Sequence, residues 1–281
     1  SNHETLYSDD ILDLLTHLVD KSLVVVEREQ GQEARYHLLE TIRQYAREKL
    51  YDSGEGEAMR VHHCGWYSQL AEQAAPELIG PAQVEWLERL GVEHDNLRAA
   101  LEWSLGRGDH ETVLRMAGAL QEFWKIRSFF QEGIRWYETS LAALPGEPAP
   151  SDWYARALVG RGTLAWYVGD LGTLEKYILK AQAIYQALDD PGGVAHTLAI
   201  LASVPNSTGD ADGAEDLYQR SLELRQKIGD RGGIAACLHG LSNAAKMRGD
   251  LKRARTLLEQ SAAIRRESGD LWRLMNALGD L

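Results

Sequence analysis

Residues 192–231 read GGVAHTLAILASVPNSTGDADGAEDLYQRSLELRQKIGDR, and residues 232–271 read GGIAACLHGLSNAAKMRGDLKRARTLLEQSAAIRRESGDL. Laid over one another they share 13 of 40 positions, where unrelated stretches share about 3. This internal repeat decides the fold. Gly-Asp pairs punctuate it at Gly169-Asp170, Gly209-Asp210 and Gly249-Asp250, and an offset set falls at Asp189-Asp190, Gly229-Asp230 and Gly269-Asp270. Two helical patterns fill each period. The first runs through Leu158, Leu198 and Leu238, with small residues Gly162, Ala202 and Ser242 four positions later. The second carries Leu174, Ala214 and Ala254, then Ile178, Tyr218 and Leu258, then Ala181, Ser221 and Ser261. Small residues let paired helices approach closely while larger apolar ones fill the groove between them. Glycine ends one helix and the following aspartate caps the next.

A small residue, seven positions to glycine, then aspartate, then alanine five after the glycine resembles the tetratricopeptide repeat. The period of 40 exceeds the usual 34 or so, so the helices or their connection are extended. Pro205 falls late in a first helix and should bend or shorten it. At an offset of 41 an earlier copy shows, Gly133 matching Leu174, Trp136 matching Tyr177 and Ser140 matching Ala181, with Ser128-Phe129 in place of Gly-Asp. The insertion 145–150 separates it from the regular array, and residues 272–281 begin a further copy. The resemblance implies a right-handed superhelix whose first helices line a concave face. On that face it places Arg156, Val159, Thr163, Trp166 and Tyr167, then His196, Ala199, Ser203, Asn206 and Ser207, then Ala236, His239, Asn243, Lys246 and Met247. Such a mixed polar and aromatic lining suits a peptide or a small polar inducer. A solvated inner face without a ligand is the alternative, as is a core role for Trp166 and Tyr167.

Ser8-Asp9-Asp10 before Ile11, Leu12, Leu14, Leu15, Leu18 and Val19 predicts a capped helix. A strand follows from Leu23, a turn at Glu29-Gln-Gly31, a second strand from Ala34 to Leu38, and a helix from Thr41 to Leu50. Helix, two-stranded wing and helix resemble the C-terminal part of a winged helix. Residues 1–51 hold six bases and ten acids, and a recognition helix bearing Asp9, Asp10, Asp13 and Asp20 would meet phosphates badly. The expectation is therefore an internal packing module with no direct nucleic-acid contact. Residues 57–75 and 82–105 read as helices. Seven of the eight tryptophans fall between Trp66 and Trp166, predicting an aromatic core at the join of wing and superhelix, with glycan or nucleobase stacking as the alternative.

Three phrases are more specific: Leu18-Val-Asp-Lys-Ser-Leu-Val-Val-Val26, Tyr36-His-Leu-Leu-Glu-Thr-Ile-Arg-Gln-Tyr-Ala-Arg-Glu48 and Glu93-His-Asp-Asn-Leu-Arg-Ala-Ala-Leu101. They resemble the region after the nucleotide-binding domain of bacterial signal-transduction ATPases with numerous domains (the STAND class), among them LuxR-like and antibiotic-regulator-like transcriptional regulators with C-terminal tetratricopeptide repeats. That resemblance implies a sensor or scaffold arm that packs against the nucleotide-binding domain of the same full-length chain. The family's catalytic residues match no position here.

The chemistry of sites gives little else. No P-loop or G-x-S-x-G occurs, and Gly106-Arg-Gly108 lacks the third glycine and a preceding strand. Adjacent residues of His62-His63-Cys64 point about 100° apart on a helix, so the trio reads as structural rather than metal-binding. His94-Asp95-Asn96 sits at a helix junction, where capping is the simpler role. No catalytic residue, metal or cofactor is expected, and the chain is read as no enzyme. The formal net charge is −12, yet residues 232–271 hold seven bases and four acids. Arg248, Lys252, Arg253, Arg255, Arg265 and Arg266 could dock an acidic partner or form a solvated face. Cys64 and Cys237 form no framework, no long apolar span or leader shows, and a cytoplasmic setting is expected. Ser1-Asn2 reads as a cloning scar and the pattern after Leu271 as interrupted, so a piece of a longer protein is expected.

The chain is thus predicted to be all-α. A partial winged helix with a small β-hairpin occupies residues 1–52, a helical linker 53–108, and a tetratricopeptide superhelix of about three repeats plus a truncated one 109–281. Its expected role is a non-catalytic sensor arm binding an inducer or protein partner. A constitutive protein-protein adaptor is the alternative.

Overall fold

The structure, a computed structural model, describes residues 8–27 and 34–281. It separates into two compact units, residues 1–62 and 63–281. The first holds α1 (Ser8–Asp20), β1 (Val24–Glu27), β2 (Arg35–Leu38) and α2 (Glu40–Asp52). The strands pair antiparallel, Val24 opposite Leu38 and Val26 opposite Tyr36. Side chains alternate across a pleat, which buries Val24 and exposes Val25. The wing and its flanking helices follow the sequence reading. The turn at residues 29–31 and the capping side chain of Ser8 lie outside the described residues.

α3 (Gly56–Glu77) spans the division, and α4 (Gln83–Val92) and α5 (His94–Gly106) follow. Four helix pairs come next: α6 (His110–Ile126) with α7 (Phe130–Ala143), α8 (Asp152–Tyr167) with α9 (Leu171–Ala187), α10 and α11 (Pro191–Leu201, Ser203–Thr208) with α12 (Ala211–Ile228), and α13 (Arg231–Met247) with α14 (Leu251–Ser268). α15 (Leu271–Gly279) begins a fifth. From α4 onward each helix packs on its sequence neighbour, and the apolar interior is a row of local cores rather than one centre. That is how a repeat array is held together.

The punctuation works as the spacing predicts. Gly169, Gly209, Gly229, Gly249 and Gly269 all take positive φ, between 72° and 83°, where a Cβ is costly. The next residue, Asp170, Asp210, Asp230, Asp250 or Asp270, accepts a backbone N–H three positions on at 2.9–3.2 Å. Where glycine is missing, Ser128 and Asp189 take the same left-handed geometry with φ of 61° and 51°. Pro205 lacks the N–H that would reach the Leu201 carbonyl, and the helix breaks at Ala202 into α10 and α11. Small residues mark close approaches. A Cβ on Gly240 would lie 2.3 Å from the Tyr218 ring, while the buried hydroxyls of Ser221 and Ser261 donate to the carbonyls of Ala195 and Ala235 at 2.6 and 2.7 Å.

Two open readings resolve. Trp124 and Trp136 are buried, with Trp86, Trp103 and Trp153 packed against the same core inside the second unit, whereas Trp66 is half-exposed. Part of the basic set serves repeat stacking, and part pairs within its own helix. Arg248 pairs with Asp212 and Glu215 of the preceding pair, Arg253 with Glu215 at 2.6 Å, and Arg255 with Glu259 at 2.9 Å.

Within the second unit the array closes on itself. The carbonyl oxygen of the Gln83 side chain accepts the Trp272 N–H at 2.9 Å, and its amide donates to the Leu78 carbonyl at 2.6 Å and to Asp270 at 3.4 Å. The Arg273 guanidinium reaches Glu122 on α6 at 2.9 Å, and Lys125 lies 4.9 Å from the Trp272 ring centroid. The first helix of the fifth pair thus meets the first helix of the first pair and the α3–α4 loop.

Candidate functional site

The inner positions follow from the repeat. The 41-residue offset puts Arg115, Glu122 and Lys125 of α6 in register with Arg156, Thr163 and Trp166 of α8. At the closure these first-repeat residues form a charged cluster. Lys125 pairs with Glu122, which also takes Arg273, while Arg273 holds Asp270 at 2.8 Å. Burial pushes the Glu122 carboxyl up, but Lys125 and Arg273 hold it down to about 2. Burial lowers Lys125 to about 8 against the pull of Glu122.

Two sequence-predicted residues join this cluster. Burial, and secondarily Glu122, raises the Tyr167 hydroxyl pKa; its ring stacks on Phe130 at 4.9 Å and 13°. His196 is solvent-exposed by surface area yet walled in by the inner face. That enclosure, with Arg225 3.3 Å from its Nδ1, lowers its pKa to about 4. Arg225 is buried and satisfied by Asp230 at 2.6 Å. Its counterpart one period later, Arg265, is equally buried, but Asp270, the matching acid, is turned to Arg273. Arg265 donates instead to the Arg273 carbonyl at 2.6 Å, and burial with the neighbouring Arg273 lowers its pKa to about 10.

The remaining expected residues scatter. His239 meets Asp280 at 2.7 Å and Lys246 donates to the Asp280 carbonyl at 2.5 Å, so both bind the end of α15. Ser203 donates to the Ile200 carbonyl at 2.6 Å. Thr163 Oγ1 and Asn206 Oδ1 are buried with no hydrogen-bond partner, and Asn243 is half-buried. Trp166 is 41% exposed and edge-on to Tyr167 at 4.8 Å.

Arg156 lies apart from these, in a cavity of about 510 Å³. α3 contributes Glu72, Ala75 and Pro76, and the loop after it Ile79; α6 contributes Leu114, Arg115, Gly118 and Ala119; α8 contributes Asp152, Trp153 and Arg156. The volume is that of a small-molecule site. Sequence reasoning missed Glu122, Arg115, Gln83 and Arg273. The 41-residue offset could have found the first two, whereas pairing across 187–189 positions leaves no periodic mark. Among the described residues, no group of three or more His, Cys, Asp or Glu is placed to hold a metal, and no helix is long and apolar enough to cross a membrane.

Residues 193–267 match the family model described as tetratricopeptide repeat, and residues 4–51 the model described as winged helix-turn-helix domain. A Mycobacterium tuberculosis protein named as an HTH-type transcriptional regulator is 43% identical over 131 residues, covering 47% of this chain and 14% of that protein. A Mycobacterium bovis protein of like name matches equally. The chain therefore matches only a small part of those relatives' length. Among solved structures, BtubC from P. vanneervenii covers 74% of this chain and 91% of its own at TM-score 0.54 and 18% identity. TPR-like repeats from Podosopora anserina cover 73% and 97% at TM-score 0.52 and 16% identity. The chain is all-α with a tetratricopeptide superhelix and a small hairpin, and it is similar to regulators that carry a helix-turn-helix.

Proposed function

We propose that this chain is the non-catalytic sensor arm of a cytoplasmic transcriptional regulator of the STAND ATPase type. A partial winged-helix module over 1–52 and a linker over 53–108 carry a repeat arm over 109–281 whose inner face takes an inducer or a protein partner. The observation that supports it is the pairing of winged-helix and tetratricopeptide matches in one chain that is 43% identical, over 131 residues, to a protein named as a regulator. The inner face also carries the exposed Trp166, and Arg156, expected on that face, lines the 510 Å³ cavity. A ligand acts only through differential affinity for two states. Occupancy of the inner face would shift how the arm packs against the nucleotide-binding domain and so bias assembly on DNA. The test compares ATP hydrolysis and reporter transcription by the longer protein with and without residues 63–281. Unchanged values for both would refute a regulatory arm and leave a passive adaptor.

A further inference from the structure

The cavity between α3, α6 and α8 has a composition that specifies a ligand class. Arg115 and Arg156 occupy equivalent positions 41 residues apart and line the same space. Neither is locked in place. Arg115 is tied to Glu111 of its own helix at 2.7–2.8 Å, and Arg156 to Asp152 of its own helix at 2.8 Å. All four side chains are about half or more exposed, between 48% and 68%. Exposed pairs one helical turn apart hold each other weakly, so an incoming acid exchanges for them at small cost.

Apart from Glu72, and from Asp152 that Arg156 already pairs, the rest of the wall is apolar. Ala75, Pro76, Ile79, Leu114 and Ala119 share it with Trp153, whose ring centroid lies 5.9 Å from the Arg115 guanidinium. Gly118 leaves the floor open between α6 and α8, since a Cβ there would already touch the Arg156 Cβ at 3.9 Å. A planar guanidinium fork matches a carboxylate in two hydrogen bonds, and a Trp face matches an aromatic ring.

We infer that this cavity binds a small organic acid: an aromatic body against Trp153, Pro76 and Ile79, and a carboxylate between Arg115 and Arg156. The assignment deepens the inner-face reading above and rests on it. It is tested separately, because a probe can bind whether or not the arm regulates transcription. Glu72 also lines the cavity, so a cationic ligand is the competing chemistry.

Calorimetric titration of the 281-residue chain with 2-naphthoate, 2-naphthamide and 2-naphthylmethylamine decides between them. Saturable binding of the acid is expected, at least tenfold tighter than either analogue. Arg115→Gln and Arg156→Gln should each weaken it about tenfold, and Trp153→Leu by a similar factor. Arg255→Gln, remote from the cavity, should leave it unchanged. Thermal melting of each variant confirms that the exposed substitutions leave the fold intact. Equal affinity for the acid and the amide overturns the assignment, as does tighter binding of the amine or indifference to both arginine variants. A peptide amide with the same groups, Ac-Trp-Glu-NH2, probes the other source of this chemistry. If it binds tighter than 2-naphthoate, the free-acid assignment fails.

Discussion

Gly269→Ala isolates the contact that closes the array. Gly269 has φ of +76°, and a Cβ there would lie 2.7 Å from the Pro81 Cα, 2.9 Å from its Cβ and 3.0 Å from its nitrogen. Backbone cannot rotate away as a side chain can, so the α3–α4 loop must part from the α14–α15 turn. Gly249 has φ of +78°, and a Cβ there would meet nothing within 4 Å. Gly249→Ala therefore carries only the left-handed penalty, about 1 kcal/mol. Gly269→Ala carries that penalty plus the parted contact: the Gln83–Trp272 hydrogen bond and the buried Gln83 side-chain oxygen left unsatisfied, about 2 kcal/mol together. The expected losses are about 1 and about 3 kcal/mol. Urea denaturation at constant m-value reads both. If the two variants agree within about 0.5 kcal/mol, the closure contributes nothing and the reasoning fails.

Ser128→Gly and Asp189→Gly relieve the two non-glycine left-handed residues and should each raise stability by up to about 1 kcal/mol, read as a higher urea midpoint. Asp210→Ala removes a cap that accepts the Gly213 N–H at 2.9 Å and should cost about 1 kcal/mol in the same measurement. Glu122 is held at about 2 against 4.5 when unfolded; a depressed carboxylate stabilises above its unfolded pKa. Its contribution should be present above pH 4.5 and fade as pH falls from there towards 2, and Glu122→Gln should flatten that part of a melting-temperature profile. His196 should titrate well below 6.5 by NMR, with Arg225→Gln raising its pKa; an ordinary value in the unmodified chain would contradict the enclosure described for it.

Elements with a local or repeating signal are legible, and pairings made across the fold are not. Glycine and aspartate at fixed intervals report a local requirement, a left-handed residue followed by a capping acceptor, and each carries its meaning within five residues. Pro205 is legible for the same reason. The charged inner cluster depends on which acid reaches which base. Asp230 satisfies Arg225, and nothing in the local sequence tells that Asp270, in the same position, goes to Arg273. Gln83 is an unremarkable helix residue until the fold sets it beside Trp272. The basic run 248–266 had two open readings because its partners, Asp212 and Glu215, lie one repeat away.

Closure also changes how the array unfolds. In an open solenoid each repeat feels only its neighbours, and the ends fray independently. Here a hydrogen bond spans 189 residues, so the last helix cannot loosen without freeing the loop after α3, and loop-closure entropy is restored in one step. That loop carries Ile79 and follows the end of α3 bearing Glu72, Ala75 and Pro76, all of which line the cavity. The two ends of the array therefore loosen together rather than one at a time.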